Sequence, residues 1–139
     1  MSGERDLSIL LASMAPALDP DKYVFCTIAV NRIPTHIQIK GSFAESEGMT
    51  LIVTKSEAEK HGLDYSGVFR CITLTVHSSL DAVGLTAAVA TTLAAQNISA
   101  NVVAAFYHDH IFVGQSDAAQ AVEALTALAR KQASILRSQ

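Results

Sequence analysis

Apolar positions along the chain recur in two periods, and the change from one to the other marks its elements. Leu7, Leu10, Leu11 and Met14 fall at helical spacing until Pro16 and Asp19-Pro20 interrupt them, so a short first helix is expected to end there. The run 23–30 (Tyr-Val-Phe-Cys-Thr-Ile-Ala-Val) is dense in β-branched and aromatic residues, and Ile37-Gln38-Ile39-Lys40 alternates. Both predict strands. Glu45-Ser46-Glu47-Gly48 reads as a polar turn before a further strand over 49–54. Ser56 and Glu59 then stand at capping-box spacing, opening a short helix that Gly62 stops.

Residues 69–76 are almost continuously apolar, which predicts a central strand covered on at least one face. From Ala82 to Gln96 the composition favours helix. Leu85, Val89 and Leu93 form its stripe, small alanines permit close approach to a sheet, and Asn97 ends it. Residues 101–107 and 111–113 predict two strands of a hairpin joined through His108-Asp109-His110. Ser116 or Asp117 is expected to cap a last helix that turns Val122, Leu125 and Leu128 inward. Each half thus reads helix, strands, helix, around the strand at 69–76. The pattern fits an α+β sandwich with helices on one face of an antiparallel sheet.

At 139 residues, half of them hydrophobic, the chain suits one domain or two small modules sharing a core. A net charge of −3, no Lys/Arg cluster and 6% aromatic residues disfavour nucleic acid as a partner. The apolar runs fall short of the roughly 18–20 residues of a membrane span. The opening residues lack the basic-then-apolar order of a secretory signal, so the expectation is no membrane association and a cytoplasmic location. Cys26 and Cys71 each lie inside an apolar run and read as small buried hydrophobes.

The chemistry concentrates where the run 72–76 breaks at His77-Ser78-Ser79 and restarts as a helix. Free backbone N–H groups at a helix start suit a carboxylate or another small anion. The same residues suit plain architecture, with Ser79 or Asp81 capping the helix and Gly84 permitting close packing. His108-Asp109-His110 invites a metal reading, against which stands a polar turn held by His-Asp hydrogen bonds. No further ligand cluster lies nearby, so no metal and no cofactor are expected. His77 with the Ser78-Ser79 turn and Asp81 imitates a nucleophile set, but residues this close in sequence rarely converge in triad geometry, and no G-x-S-x-G elbow accompanies them. No catalytic residue is assigned.

The strand 69–76, the turn Asp81-Ala82-Val83-Gly84-Leu85 with its helix, and the entry Ile98-Ser99-Ala100-Asn101-Val102-Val103 resemble the ACT-domain family. Its members are small ferredoxin-like (βαββαβ) regulatory modules. The whole chain resembles short stand-alone proteins with two ACT-like halves, here 1–65 and 66–139. The more specific matches are residues 72–80 and 107–113. Two departures stand out: no evident strand precedes the first helix, and too few residues follow the last helix for a fourth strand. Strand sharing between halves or chains would repair both.

The resemblance implies an α+β fold and a non-catalytic protein that binds a small molecule, with an amino acid as the implied ligand. The implied site is Ser79, Leu80, Asp81, Ala82, Val83, Gly84 and Leu85, with Asn101 and Val102 opposite, at an interface between modules. Turn amides would take the carboxylate, Asp81 or the Asn101 carbonyl the ammonium, and Gly84 would let backbone approach closely. A homodimer or higher homo-oligomer and a separate enzyme partner are further implications. The alternatives are a ligand-free interaction or assembly module and, further off, a small metal-dependent enzyme using His108, Asp109 and His110.

Overall fold

The computed structural model describes residues 6–77 and 83–139. In chain order these form α1 (Leu7–Ser13), β1 (Pro16–Ile28), a 3₁₀ turn (Val30–Arg32), β2 (Gly41–Glu45), β3 (Gly48–Thr54) and α2 (Lys55–Lys60). There follow β4 (Phe69–Leu74), α3 (Leu85–Ala95), β5 (Asn101–Ala104), β6 (Asp109–Gly114) and α4 (Ala118–Arg137). The chain divides into two compact units, a larger one of Met1–Asp19 with Cys71–Gln139 and a smaller one of Pro20–Arg70. β1 begins in the larger unit and continues into the smaller.

In the larger unit the strand order is β4-β6-β5, and β5 pairs antiparallel with β6 from Asn101↔Phe112 to Ala104↔Asp109. Side chains alternate across a strand, so Ile72 and Leu74 of β4 and Ile111 and Val113 of β6 share one face. Against them pack Leu10, Leu11 and Met14 of the α1 segment, Leu85, Val89 and Leu93 of α3, and Ala118, Ala121, Leu125 and Ala129 of α4. The stripe expected of α3 is therefore the buried one, whereas of that expected of α4 only Leu125 is fully buried, Val122 and Leu128 being half-buried beside a face completed by Ala118, Ala121 and Ala129. Asp6 caps α1, its carboxylate accepting the Ile9 N–H at 3.2 Å. Asn97 ends the α3 segment in left-handed conformation (φ +60°), with its N–H on the Ala94 carbonyl at 2.9 Å and Ile98 N–H on Leu93 at 3.0 Å.

The smaller unit has strand order β2-β3-β1, fully antiparallel, with Tyr23↔Thr54 and Ile28↔Met49 bounding one ladder and Gly41↔Ile52 and Glu45↔Gly48 the other. Val24, Cys26, Leu51, Val53 and Ala58 form its core. Gly62 (φ +66°) stops α2, with its N–H on Glu59 at 3.3 Å and Leu63 N–H on Ala58 at 2.9 Å, the same double closure that ends α3.

Several expectations are corrected. β1 starts at Pro16, seven residues before Tyr23, because proline costs an extended strand only a donor and not its geometry. Residues 37–40 are not a strand. His36 is left-handed (φ +66°), and the Gln38 N–H donates to the Glu57 carboxylate at 2.9 Å instead of to a ladder. The strand forms at Gly41–Glu45, and Ser46-Glu47 is the hairpin turn. α2 is capped by Thr54, whose hydroxyl accepts the Glu57 N–H at 3.1 Å, while Glu59 engages Lys55 at 3.3 Å and Tyr65 at 3.2 Å instead of closing a box with Ser56. α3 begins at Leu85 behind a left-handed Gly84, so neither Ser79 nor Asp81 stands at its cap position. Asp117 occupies the cap position of α4 without a side-chain hydrogen bond. Among the described residues no helix is long and apolar enough to cross a membrane.

Glu57 ties the 36–38 loop to α2. Its carboxyl is held below the ordinary 4.5, first by the Gln38 N–H, with partial burial opposing and Lys60 and His61 assisting. A depressed folded value stabilises the fold above the unfolded value, and the gain is lost as pH falls through the folded one. Glu57→Gln is therefore expected to melt earlier than the parent at neutral pH and to converge with it in acid. Thermal unfolding of both proteins across pH checks this; a gap that does not change with pH would refute it.

Candidate functional site

The implied site centres on the corner between β4 and α3. Of its residues, Ser79, Leu80, Asp81 and Ala82 lie outside the described residues. Val83 is 83% exposed, whereas Leu85 is buried in the core of the larger unit. Gly84 is left-handed at φ +99°, and a Cβ placed on it would lie 2.9 Å from Leu7 Cδ2. The residue therefore has two reasons to be glycine: its backbone conformation and the passage of α1.

The four helix starts differ: α4 has Asp117 at its cap position without a capping hydrogen bond, and the other three divide as follows. α1 and α2 are capped by the side chains of Asp6 and Thr54. At α3 the cap position is Gly84, which has no side chain to offer the amides of the first turn.

Asn101 and Val102 lie elsewhere. α3 is 11 residues long, about 16 Å at the usual rise, and the chain reverses after it into β5. Asn101 thus follows from the C-terminal end of α3 while Gly84 stands at its N-terminal end, so one module does not bring the two together. Asn101 Nδ2 donates to the Phe112 carbonyl at 3.2 Å, and Val102 packs on the core.

A cluster of rings that sequence reasoning did not assign stands beside the corner instead. β5 ends at Ala104, and the loop Ala105-Phe106-Tyr107-His108, closed by the Ala105 N–H on the His108 carbonyl at 3.0 Å, joins it to β6. Tyr107 lies 5.2 Å from the ring of His77 and 4.9 Å, edge-on, from Phe106. Phe106 and Tyr107 are 61% and 57% exposed, an apolar tip to the loop. The expected strand over 101–107 hid this tip, because its residues carry neither glycine nor proline.

His108-Asp109-His110 is not the hairpin turn: Asp109 and His110 open β6. Alternation along that strand separates them. Asp109, buried, falls on the face of Ile111 and Val113, and His110 on the other, where its Nδ1 lies 2.8 Å from the Thr73 hydroxyl. The rings of His108 and His110 are 6.5 Å apart. Among the described residues no group of three His, Cys, Asp or Glu side chains converges as a metal site would require. Cys26 and Cys71 are buried and form no disulfide, and burial, then the Asp64 carboxylate, pushes the Cys26 thiol up.

Comparison with known proteins follows the two halves. A family model described as ACT domain matches residues 2–70, and a second of the same description matches 67–127. No curated protein matches the chain. Among solved structures, a Vibrio cholerae protein of unknown function, described as a possible transport protein, is 48% identical with a TM-score of 0.79, covering 88% of this chain and 95% of that one. The ligand-free regulatory subunit of aspartate kinase from Thermus thermophilus is 11% identical (TM-score 0.62; 84% of this chain, 98% of that one). A protein from Agrobacterium tumefaciens is 16% identical (TM-score 0.69; 84% and 89%). The last two likenesses are of fold alone.

Proposed function

Because this chain belongs to the ACT-domain family, with one ACT match in each half, we propose that it is a non-catalytic regulatory protein that binds an amino acid at the β4–α3 corner. The modules are residues 1–65 and 66–139. The observation that carries the reading is the start of α3, whose first-turn amides are offered behind Gly84 without a capping side chain. Residues Ser79, Leu80, Asp81, Ala82, Val83, Gly84 and Leu85 make the corner, and an amino acid there leaves its carboxylate on the amides and its ammonium on Asp81.

Asn101 and Val102, at the far end of α3, take part from a second copy of the chain, so the complete site lies between copies. This agrees with a homodimer or higher oligomer. β5 is the edge strand of the larger unit's set and carries exposed Val103, and β2 at the edge of the smaller unit's set carries exposed Phe43. Binding becomes regulation when the ligand favours one arrangement, by about 1–3 kcal/mol in allosteric systems. The controlled enzyme is then a separate chain, in the cytoplasm.

A thermal-shift screen of the full chain with each standard amino acid tests the site. Saturating ligand, at ~100 times its dissociation constant, stabilises by about 2.7 kcal/mol. Asp81→Ala is expected to abolish the response of whichever amino acid gives one. A full response in that variant would reject the corner, and no response to any amino acid would favour a ligand-free assembly module.

A further inference from the structure

Each unit carries an exposed surface of one charge sign, and the two signs are opposite. After Glu123 the chain has no Asp or Glu, and Arg130, Lys131 and Arg137 are the larger unit's Lys and Arg residues among those described. All three are exposed on the last turns of α4, past Ala129, its last buried residue. None of them makes a hydrogen bond or ion pair among the described residues. The helix dipole favours a cation in the final turn, where Arg137 stands, but gives no reason for Arg130 and Lys131 nearly two turns earlier. Ile135, 43% exposed, adds an apolar side chain one turn beyond Lys131.

The counterpart is the β2–β3 hairpin of the smaller unit. Its charged residues are Glu45 and Glu47, with no Lys or Arg from Gly41 to Thr54, and Phe43 beside them is 72% exposed. Ser42 pairs with Leu51 and Phe43 with Thr50, so alternation turns Phe43 and Glu45 to the face opposite the core residues Leu51 and Val53. The Thr50 hydroxyl donates to the Glu45 carboxylate and holds it in place. Two residues along a strand set Phe43 and Glu45 about 7 Å apart. One turn of helix sets Ile135 and Lys131 about 6 Å apart, so an aromatic–carboxylate pair matches an aliphatic–ammonium pair in spacing as well as in charge.

We propose that the basic end of α4 docks on the acidic β2–β3 hairpin of a second copy of this chain. Phe43 covers Ile135, Glu45 accepts from the Lys131 ammonium, and Glu47 in the turn faces the guanidinium groups of Arg130 and Arg137. A lipid surface fits the helix end less well, because the apolar face of α4 is taken up by the core of its own unit. The contact is separate from the ligand corner and from edge-to-edge strand pairing. It deepens the homo-oligomer reading and needs no ligand.

Sedimentation velocity of the full chain without any amino acid, from micromolar to near-millimolar concentration, tests this. The expected result is reversible self-association that weakens as salt is raised. The combined change Arg130→Glu, Lys131→Glu and Arg137→Glu, and separately Glu45→Lys with Glu47→Lys, should each weaken it about tenfold or more. An equimolar mixture of those two variants should restore it, because each offers the charge the other lacks. Phe43→Ser keeps every charge and should weaken association too, which keeps the test decisive if a charge-reversed variant fails to fold. A monomeric parent, an unaffected Phe43→Ser, or a mixture that associates no better than either variant overturns the proposal. Association that survives both charge reversals also overturns this contact, while leaving the homodimer of the ligand corner standing. Binding of the parent to phosphatidylserine vesicles that the triple variant loses, without self-association, would overturn it in favour of a lipid surface.

Discussion

Leu125→Ala is expected to destabilise the larger unit by about 3–5 kcal/mol, the upper part of the range for a buried leucine. Leu125 is fully buried on the inner face of α4, and its neighbours along that face are Ala118, Ala121 and Ala129. Small side chains let α1 and α3 pack close to α4, and for the same reason none of them can swing into the hole that the leucine leaves. The loss therefore combines the transfer free energy of the removed methyl groups with an unrelaxed cavity. Leu128→Ala, three residues on and only partly buried, is the control and should lose clearly less. Urea unfolding of both variants checks the ordering; equal losses would mean that α4 does not present the face described.

Gly84→Val is expected to cost about 2–4 kcal/mol, from left-handed backbone strain and forced displacement of Leu7 together. The two parts separate experimentally. Gly84→Asn, a residue that tolerates left-handed backbone, keeps the contact with Leu7 while relieving most of the strain, and should retain more stability than valine. Adding Leu7→Ala to Gly84→Ala should recover part of the loss, because the 2.9 Å approach is to Leu7 Cδ2. A thermal-unfolding cycle over these variants measures both parts; no coupling between positions 7 and 84 would remove the packing half of the explanation. The expected cost also explains why Asp81→Ala is the cleaner variant for ligand assays: lost binding in Gly84→Val would follow from a distorted α3 start whether or not a guest occupies the corner.

Legibility follows the range of the interaction involved. Asn97 and Gly62 announce their helix ends because a left-handed closing residue is a local requirement met within six positions of chain. The capping of α2 was misplaced by two residues because Thr54-x-x-Glu57 and Ser56-x-x-Glu59 offer the same pattern, and only the distant Gln38 N–H decides what Glu57 does. At the candidate corner, glycine at 84 is visible in the sequence. Its contact with Leu7, some 77 positions away, is not. The ring cluster of His77 with Phe106 and Tyr107 likewise joins segments that no periodicity connects.

The resemblance of residues 72–80 and 107–113 carried the ACT assignment, whereas the bare pattern of the sequence determined which side of α1 and α3 is buried, where α2 and α3 stop, and that the chain is α+β. Each of these depends on the alternation of apolar and polar side chains or on the backbone demands of single residues. Tertiary structure alone decided that β1 runs on through Pro16 and Pro20, that residues 37–40 give up a strand to reach Glu57, and that Asn101 lies a helix length away from Gly84. Those outcomes turn on which distant partner satisfies a given N–H or fills a given space, and a partner remote in the chain leaves no mark in the local pattern.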